Sequence, residues 1–285
     1  MLHKFYKVGL ILGIIITFSL IPVFWFSYAS SSDLELSYLD TGQGDSILIK
    51  TPYGQNILVD GGPDDKVISE LNDNMAWWDR RIDLMVLSHP HDDHVTGLTE
   101  VLKRYDVKKI IYTGVVHSSP NYLKFLEKVR DKKVPLTIID RPQVINLGEN
   151  LYIDILYPRE SILGKEVDNI NSSSIVMKLI YGETSFLFSG DAEVEVEDEL
   201  VVSNIDLKAD VFKAGHHGSD TSNSQDFLDK IEPKIVIIQV GEDNDFGHPS
   251  LRVIKRFERI GAEVFRNDMS GTINLISDGK RVYFK

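Results

Sequence analysis

The sequence holds no cysteine. That single absence excludes a disulfide framework, a thiolate nucleophile and every cysteine-based metal site, so any metal must be held by histidine and carboxylate. Positive charge is also short: 31 Lys and Arg stand against 43 Asp and Glu, a formal net charge of −12. A surface that acidic repels a nucleic-acid backbone except where a local basic groove offsets it, which argues against a dedicated duplex binder. Tandem repeats and low-complexity tracts are missing too. Charge disappears altogether between Val8 and Ser32, where an apolar run over about residues 8–28 is long enough for a membrane helix. Lys4 and Lys7 precede the run while Asp33 and Glu35 follow it, a bias that keeps the amino terminus in the cytoplasm and sends the rest across. Trp25 and Tyr28 fall where an interfacial aromatic belt lies. The run exceeds a signal-peptide core, which favours a retained single-pass anchor; the small residues Ala29-Ser30-Ser31-Ser32 leave cleavage, and hence secretion, as the alternative.

What remains is ample for one folded unit. The chain of 285 residues is 42% apolar, and residues 33–285 read as a single domain behind a tip, anchor and short linker over residues 1–32. Alternating apolar residues predict strands at Leu34–Tyr38, Ser46–Ile49 and Asn56–Val59, separated by glycine-containing turns. Strands at Leu84–Leu87 and Lys109–Tyr112 are each followed by a helical pattern, Thr96–Tyr105 and Asn121–Asp131. Short strands, a polar loop over Pro158–Asn171 and a hairpin through Gly182-Glu183 come next, followed by a second βα series from Glu193 to Phe284. Strands, βα units, strands and βα units again suit an α/β fold of four layers, two packed sheets with helices on both outer faces.

Six of the eight histidines lie in short Gly- or Pro-containing segments beside expected elements. The densest is His89-Pro90-His91-Asp92-Asp93-His94, directly after a buried strand and before a helix. Two apart in an extended segment, His89 and His91 project to the same side, as two imidazole ligands of one metal must. Asp93 and His94 turn into the helix and can face a second ion. Capping of the helix near His94 by Asp92 or Asp93 is the bland alternative, and four metal-type side chains in six positions weigh against it.

This His-x-His-x-Asp-His pattern resembles the signature of the metallo-β-lactamase superfamily. The resemblance implies its αββα sandwich and assigns Asp60, in Leu58-Val59-Asp60-Gly61-Gly62, as a carboxylate supporting the site. It also makes Asp191, in Ser189-Gly190-Asp191, the bridge between two cations whose repulsion it offsets. By the same resemblance His216, first after the strand Asp210–Lys213, takes the final metal position, leaving His217 and His248 for substrate. Ser219 and Asn171 are further candidate substrate contacts, and His117 reads as a solvated loop residue. Together with Tyr38–Ser46 and Phe246–Ser250, the segment Val211–Ser219 is similar to the ComEC-type branch of bacterial competence proteins. One candidate membrane segment, against the multi-helix channel of that branch, implies no transport role.

The expected chemistry is hydrolysis at two divalent ions, about 3.5 to 4 Å apart in comparable sites, that activate water and polarise the substrate oxygen. Nitrogen ligands favour zinc, and the carboxylates keep manganese open. Asp93 and His248 are the catalytic candidates. A phosphodiester in nucleic acid or in an envelope polymer is the first substrate expectation, with lactone, thioester or β-lactam hydrolysis and a non-catalytic envelope module as alternatives. A diiron redox role is opposed by His91, where such members typically carry a glutamate.

Overall fold

The computed structural model describes residues 33–285; the apolar run over residues 8–28 lies outside the described residues. Among the described residues no helix is long and apolar enough to cross a membrane.

Two large sheets form the centre. The first runs β17 (Val282–Phe284), β16 (Ile273–Ser277), β1 (Leu34–Tyr38), β2 (Ile47–Lys50), β3 (Asn56–Val59), β5 (Leu84–Val86), β7 (Ile110–Tyr112) and β8 (Leu136–Ile138). In the second the order is β15 (Glu263–Arg266), β14 (Ile235–Ile238), β13 (Val211–Lys213), β12 (Thr184–Phe188), β11 (Val176–Tyr181), β10 (Leu151–Tyr157) and β9 (Gln143–Gly148). A two-stranded pair, β4 (Arg81–Ile82) and β6 (Asp106–Val107), sits beside the first sheet. Each sheet is antiparallel where hairpins build it and parallel where helices intervene, as in β3-β5-β7-β8 and β12-β13-β14-β15.

Side-chain alternation makes the layers. Ile47, Ile49, Ile57 and Val59 meet Phe186, Phe188, Ile153 and Ile155 in a core between the sheets. Their neighbours Leu48, Leu58 and Met85 face outward onto helices α1 (Lys66–Asn74), α2 (Asp92–Arg104) and α3 (Pro120–Lys132), through Val67, Leu71, Leu98 and Phe125. On the other side Leu187, Phe212 and Val236 pack against α4 (Val194–Val202), α5 (Gln225–Ile231) and α6 (Leu251–Arg259), through Leu200, Phe227 and Phe257. The four-layer αββα arrangement follows.

Some bounds differ from expectation. Helix α2 begins at Asp92 rather than Thr96, so Asp93 and His94 lie in its first turn, and neither aspartate caps it. Helix α1 was not expected; only Val67 and Leu71 on it are buried, a pattern too sparse to stand out. Another short helix, α7 (Asn267–Ser270), follows β15.

Candidate metal centre

Strands β3, β5, β12 and β13 all end at one pole, and the loops that leave them carry the polar side chains. Two glycines let these loops close up: a Cβ on Gly97 of α2 would meet the Gly61 carbonyl oxygen at 1.9 Å, and one on Gly61 would meet the Leu98 nitrogen at 2.4 Å. The loop bearing Asp60 therefore lies directly against the helix bearing His94.

Two ligand groups share Asp191. His89, His91 and Asp191 form one, and Asp93, His94, Asp191 and His217 the other, with the donor atoms of each within 4.8 Å of one another. In the first group His89 Nε2 stands 3.1 Å from His91 Nδ1 and 3.8 Å from Asp191 Oδ2. In the second, Asp191 Oδ2 lies 3.4 Å from His94 Nε2 and 3.6 Å from His217 Nε2, while Asp93 Oδ2 is 3.2 Å from His217 Nε2. The buried His94 Nε2 has no hydrogen-bond partner, which is costly unless a cation shared with Asp191 Oδ2, 3.4 Å away, takes it. These donors fit divalent metal ions.

Outer contacts aim the ligands. Asp60 Oδ2 is 2.9 Å from His94 Nδ1 and accepts from the Ser88 hydroxyl at 2.6 Å, and its Oδ1 accepts from the Ser88 backbone N–H at 2.8 Å. His217 Nδ1 donates to the Gln239 carbonyl at 2.8 Å, so its Nε2 is left for the ligand cluster. Asp45, bound to the Lys213 ammonium, stands 3.3 Å from the same Nδ1. Lys213 also donates to the Gly190 carbonyl at 3.3 Å and lies 4.0 Å from Asp191 Oδ1. Asp45, Asp60 and His94 form a further buried group, but Ser88 already satisfies Asp60, and the Lys213 ammonium already pairs with Asp45 Oδ2.

The electrostatics separate the two ligand groups. Burial, reinforced by the neighbouring His94, holds His89 well below the usual imidazole range, and burial lowers His91 as well, so both keep free lone pairs. Burial also opposes a charge on His94 and His217, but surrounding carboxylates outweigh it. Asp191, Asp93 and Asp60 hold His94 well above its ordinary value, and Asp191 and Asp45 carry His217 to about 10. For Asp191 burial works upward, and His94, His217 and His89 reverse it to hold the carboxylate well down. A cation held by the second group would compete with protons for His94 and His217.

The sequence assignment of the double histidine is reversed in space. His217 is 2% exposed and joins Asp93, His94 and Asp191, whereas His216 is 23% exposed and its Nε2 approaches only Asp191, at 3.8 Å. Both residues have left-handed backbone, φ 48° and 53°, so the alternation of an extended strand does not continue through them. His216 Nδ1 points instead to Thr221 Oγ1 at 3.2 Å and Glu193 Oε1 at 3.3 Å. Asn171 is buried and its Nδ2 donates at 2.9 Å to Glu193 Oε1, the carboxylate oxygen that faces His216 Nδ1. The Ser219 hydroxyl lies 3.1 Å from Thr221 Oγ1.

His248 stays at the rim, its ring 5.6 Å from His216 and stacked on Phe246 at 5.9 Å. His117 is not a solvated loop residue: its ring lies 6.2 Å from His91, its Nδ1 is buried without a partner, and it lines the cavity over the site. That cavity, about 620 Å³, is also lined by Gln43, His91, Asp93, Asp191, His216 and Phe246. Sequence reasoning gave Asp45, Lys213, Glu193 and Gln239 no role. For Asp45 the available signal was its place in the glycine-flanked segment Gly42-Gln43-Gly44-Asp45.

With this geometry in place the class is plain: residues 39–242 match the metallo-beta-lactamase superfamily, and the chain belongs to it as a metal-dependent hydrolase. Within that family it is 30% identical over 260 residues to ComE operon protein 3 of Bacillus subtilis, covering 85% of this chain and 33% of the relative. It is 28% identical to the competence protein ComA of Neisseria gonorrhoeae, covering 82% and 31%. The chain thus spans about a third of the length of these relatives. Among solved structures the metallo hydrolase Igni18 of Ignicoccus hospitalis shares the fold, with a TM-score of 0.55 at 14% identity over 85% of this chain and 98% of that one.

Proposed function

We propose that this chain is a dinuclear phosphodiesterase acting outside the cytoplasm. The observation that carries the reading is the pair of adjacent ligand groups sharing the Asp191 carboxylate. His89, His91 and Asp191 would hold one ion; Asp93, His94, His217 and Asp191 would hold the other. Bound there, divalent ions supply Lewis acidity and lower the pKa of a water. Imidazole nitrogens favour zinc, and the second group, with its additional carboxylate, also suits manganese.

The rim supplies the remaining chemistry. When water adds to phosphorus and the ester P–O bond breaks, the departing alkoxide needs a proton. With its Nδ1–H held by Glu193, the His216 ring would take up the proton released by the attacking water at Nε2, which faces the ligand cluster, and pass it from there to the alkoxide. Burial and the neighbouring His216 and His217 hold His248 below the usual imidazole range. His248 thus enters neutral and offers an N–H to a phosphoryl oxygen. Asp93 belongs to this reading as ligand and catalytic carboxylate together.

Support for a phosphodiester comes from the similarity to a protein named for competence. An envelope polymer is a second reading, favoured by the apolar run over residues 8–28, which we take as a single-pass anchor with the amino terminus inside. A panel of bis(p-nitrophenyl) phosphate, single-stranded DNA, RNA, a phosphodiester-linked envelope polymer and a lactone decides the matter. We expect metal-dependent cleavage of diesters and none of the lactone. Lactone turnover without diester turnover rejects the assignment.

A further inference from the structure

Trp77 and Trp78 are 78% and 56% exposed, adjacent in sequence, with rings 5.4 Å apart and edge to face. Exposed tryptophans on a soluble surface are expensive, and this pair is held on a built platform. Asp79 donates its backbone N–H to the Ala76 carbonyl at 2.8 Å, and its carboxylate accepts from Asn56 Nδ2 at 2.8 Å. Lys50 donates to the Asn74 carbonyl at 3.1 Å, and Arg81 to the Gly54 carbonyl at 2.6 Å.

The platform lies at a defined place. Strands β3 and β5 start there and run to Asp60 and His89, so it occupies the pole opposite the metal centre. Glu35 pairs with Lys50 and Lys50 with Asn56, which sets the start of β1 two strands away, roughly 10 Å. Only residues 29–33 separate β1 from the end of the apolar run, a reach of at most about 17 Å. If that run is an anchor, this pole is the one brought to the membrane.

From this juxtaposition we propose that Trp77 and Trp78 insert into the headgroup region of the bilayer and seat the domain with its metal centre facing away. The inference rests on the anchor reading above. Tryptophan suits that position because its ring is amphipathic and its N–H stays hydrated. Electrostatic adhesion is not the driving term. The chain carries −12 overall, and the cations at this pole are engaged within the protein: Lys50 and Lys285 share Glu35, Arg81 pairs with Asp83, and Arg80 is held by Asn72 and Tyr105. The contact is therefore expected on zwitterionic lipid and to be insensitive to salt. It directs the site toward water-borne substrate rather than lipid.

The full chain reconstituted in phosphatidylcholine vesicles tests this, because its three tryptophans separate cleanly. Trp25→Phe leaves Trp77 and Trp78 as reporters; Trp77→Phe with Trp78→Phe leaves Trp25. With lipid brominated near the headgroup, the Trp25→Phe emission should be quenched and its iodide quenching cut by about threefold or more relative to free tryptophan amide. Full iodide access with no bromolipid quenching overturns the proposal. Shielding from iodide without bromolipid quenching assigns the pair to a protein contact and overturns it equally. The Trp25 reporter judges the anchor separately: if it escapes the bromines, the anchor reading fails. In that case quenching of Trp77 and Trp78 by added vesicles still upholds the lipid contact, and its absence still refutes it.

Discussion

The two sides of the metal centre are built on different principles. On the first sheet, His89 and His91 leave β5 in an extended segment and His94 enters α2, so side-chain direction follows directly from strand and helix geometry. On the second sheet, the turn after β13 carries His216 and His217 with φ near +50°, a conformation that reverses which of two neighbours faces inward. The first side is a ladder of periodic positions, the second a tight turn braced by distant groups. Lys213, Asp45, Gln239 and Glu193 do the bracing. Regular geometry makes ligands readable from spacing; a braced turn makes them depend on partners far away in the chain.

The sharpest break is at the shared carboxylate. Asp191→Ala should strip metal from both sides and reduce diester turnover by about a thousandfold or more, since each group loses a common member. Elemental analysis alongside kinetics reads it, and retention of full metal content means that Asp191 does not bridge. Next comes the pair inside the turn. His217→Ala should lose metal from the second side, whereas His216→Ala should keep it and lose about 100- to 10,000-fold in turnover of unactivated diesters. The His216→Ala defect should shrink on activated aryl esters, whose leaving groups need little protonation. Equal metal loss in both variants would return His216 to the ligand set.

These contrasts also explain what was legible in the sequence. The αββα layering could be read because Ile47-Leu48-Ile49 and Phe186-Leu187-Phe188 alternate between the inter-sheet core and the helix layers. His89, His91, Asp93 and His94 stand out because they crowd one strand end and helix start, and Asp191 entered through the family resemblance; the structure brings their donor atoms together. His216 takes the metal position in the sequence because it comes first after the strand, where the resemblance puts the final histidine, but the left-handed turn presents His217 to the ligand cluster. Asn171 stands out in the sequence by its place before the hairpin, but its bond to Glu193 is to a partner no local pattern announces. Asp45 and Lys213 were passed over for the same reason: they meet only in three dimensions.

Smaller effects sharpen the comparison through the bracing groups. Lys213→Met removes the ammonium partner of the buried Asp45, which should destabilise the domain by about 3 kcal/mol in chemical denaturation. Adding Asp45→Asn should recover part of that loss; no recovery would show that the two residues act independently. Asn171→Ala should cost only about 1 kcal/mol, leave metal content intact and change turnover modestly through Glu193. A rise in KM with no change in kcat would instead restore Asn171 as a direct substrate contact.

The central claim is that the two ligand groups, His89-His91-Asp191 and Asp93-His94-His217-Asp191, hold one ion each and work together. Returning metal stepwise to chelated protein, with ions counted per chain against turnover of bis(p-nitrophenyl) phosphate, tests it most directly. Turnover should stay low through the first equivalent and rise with the second. Full turnover at a single bound ion, or after complete chelation, would contradict the account.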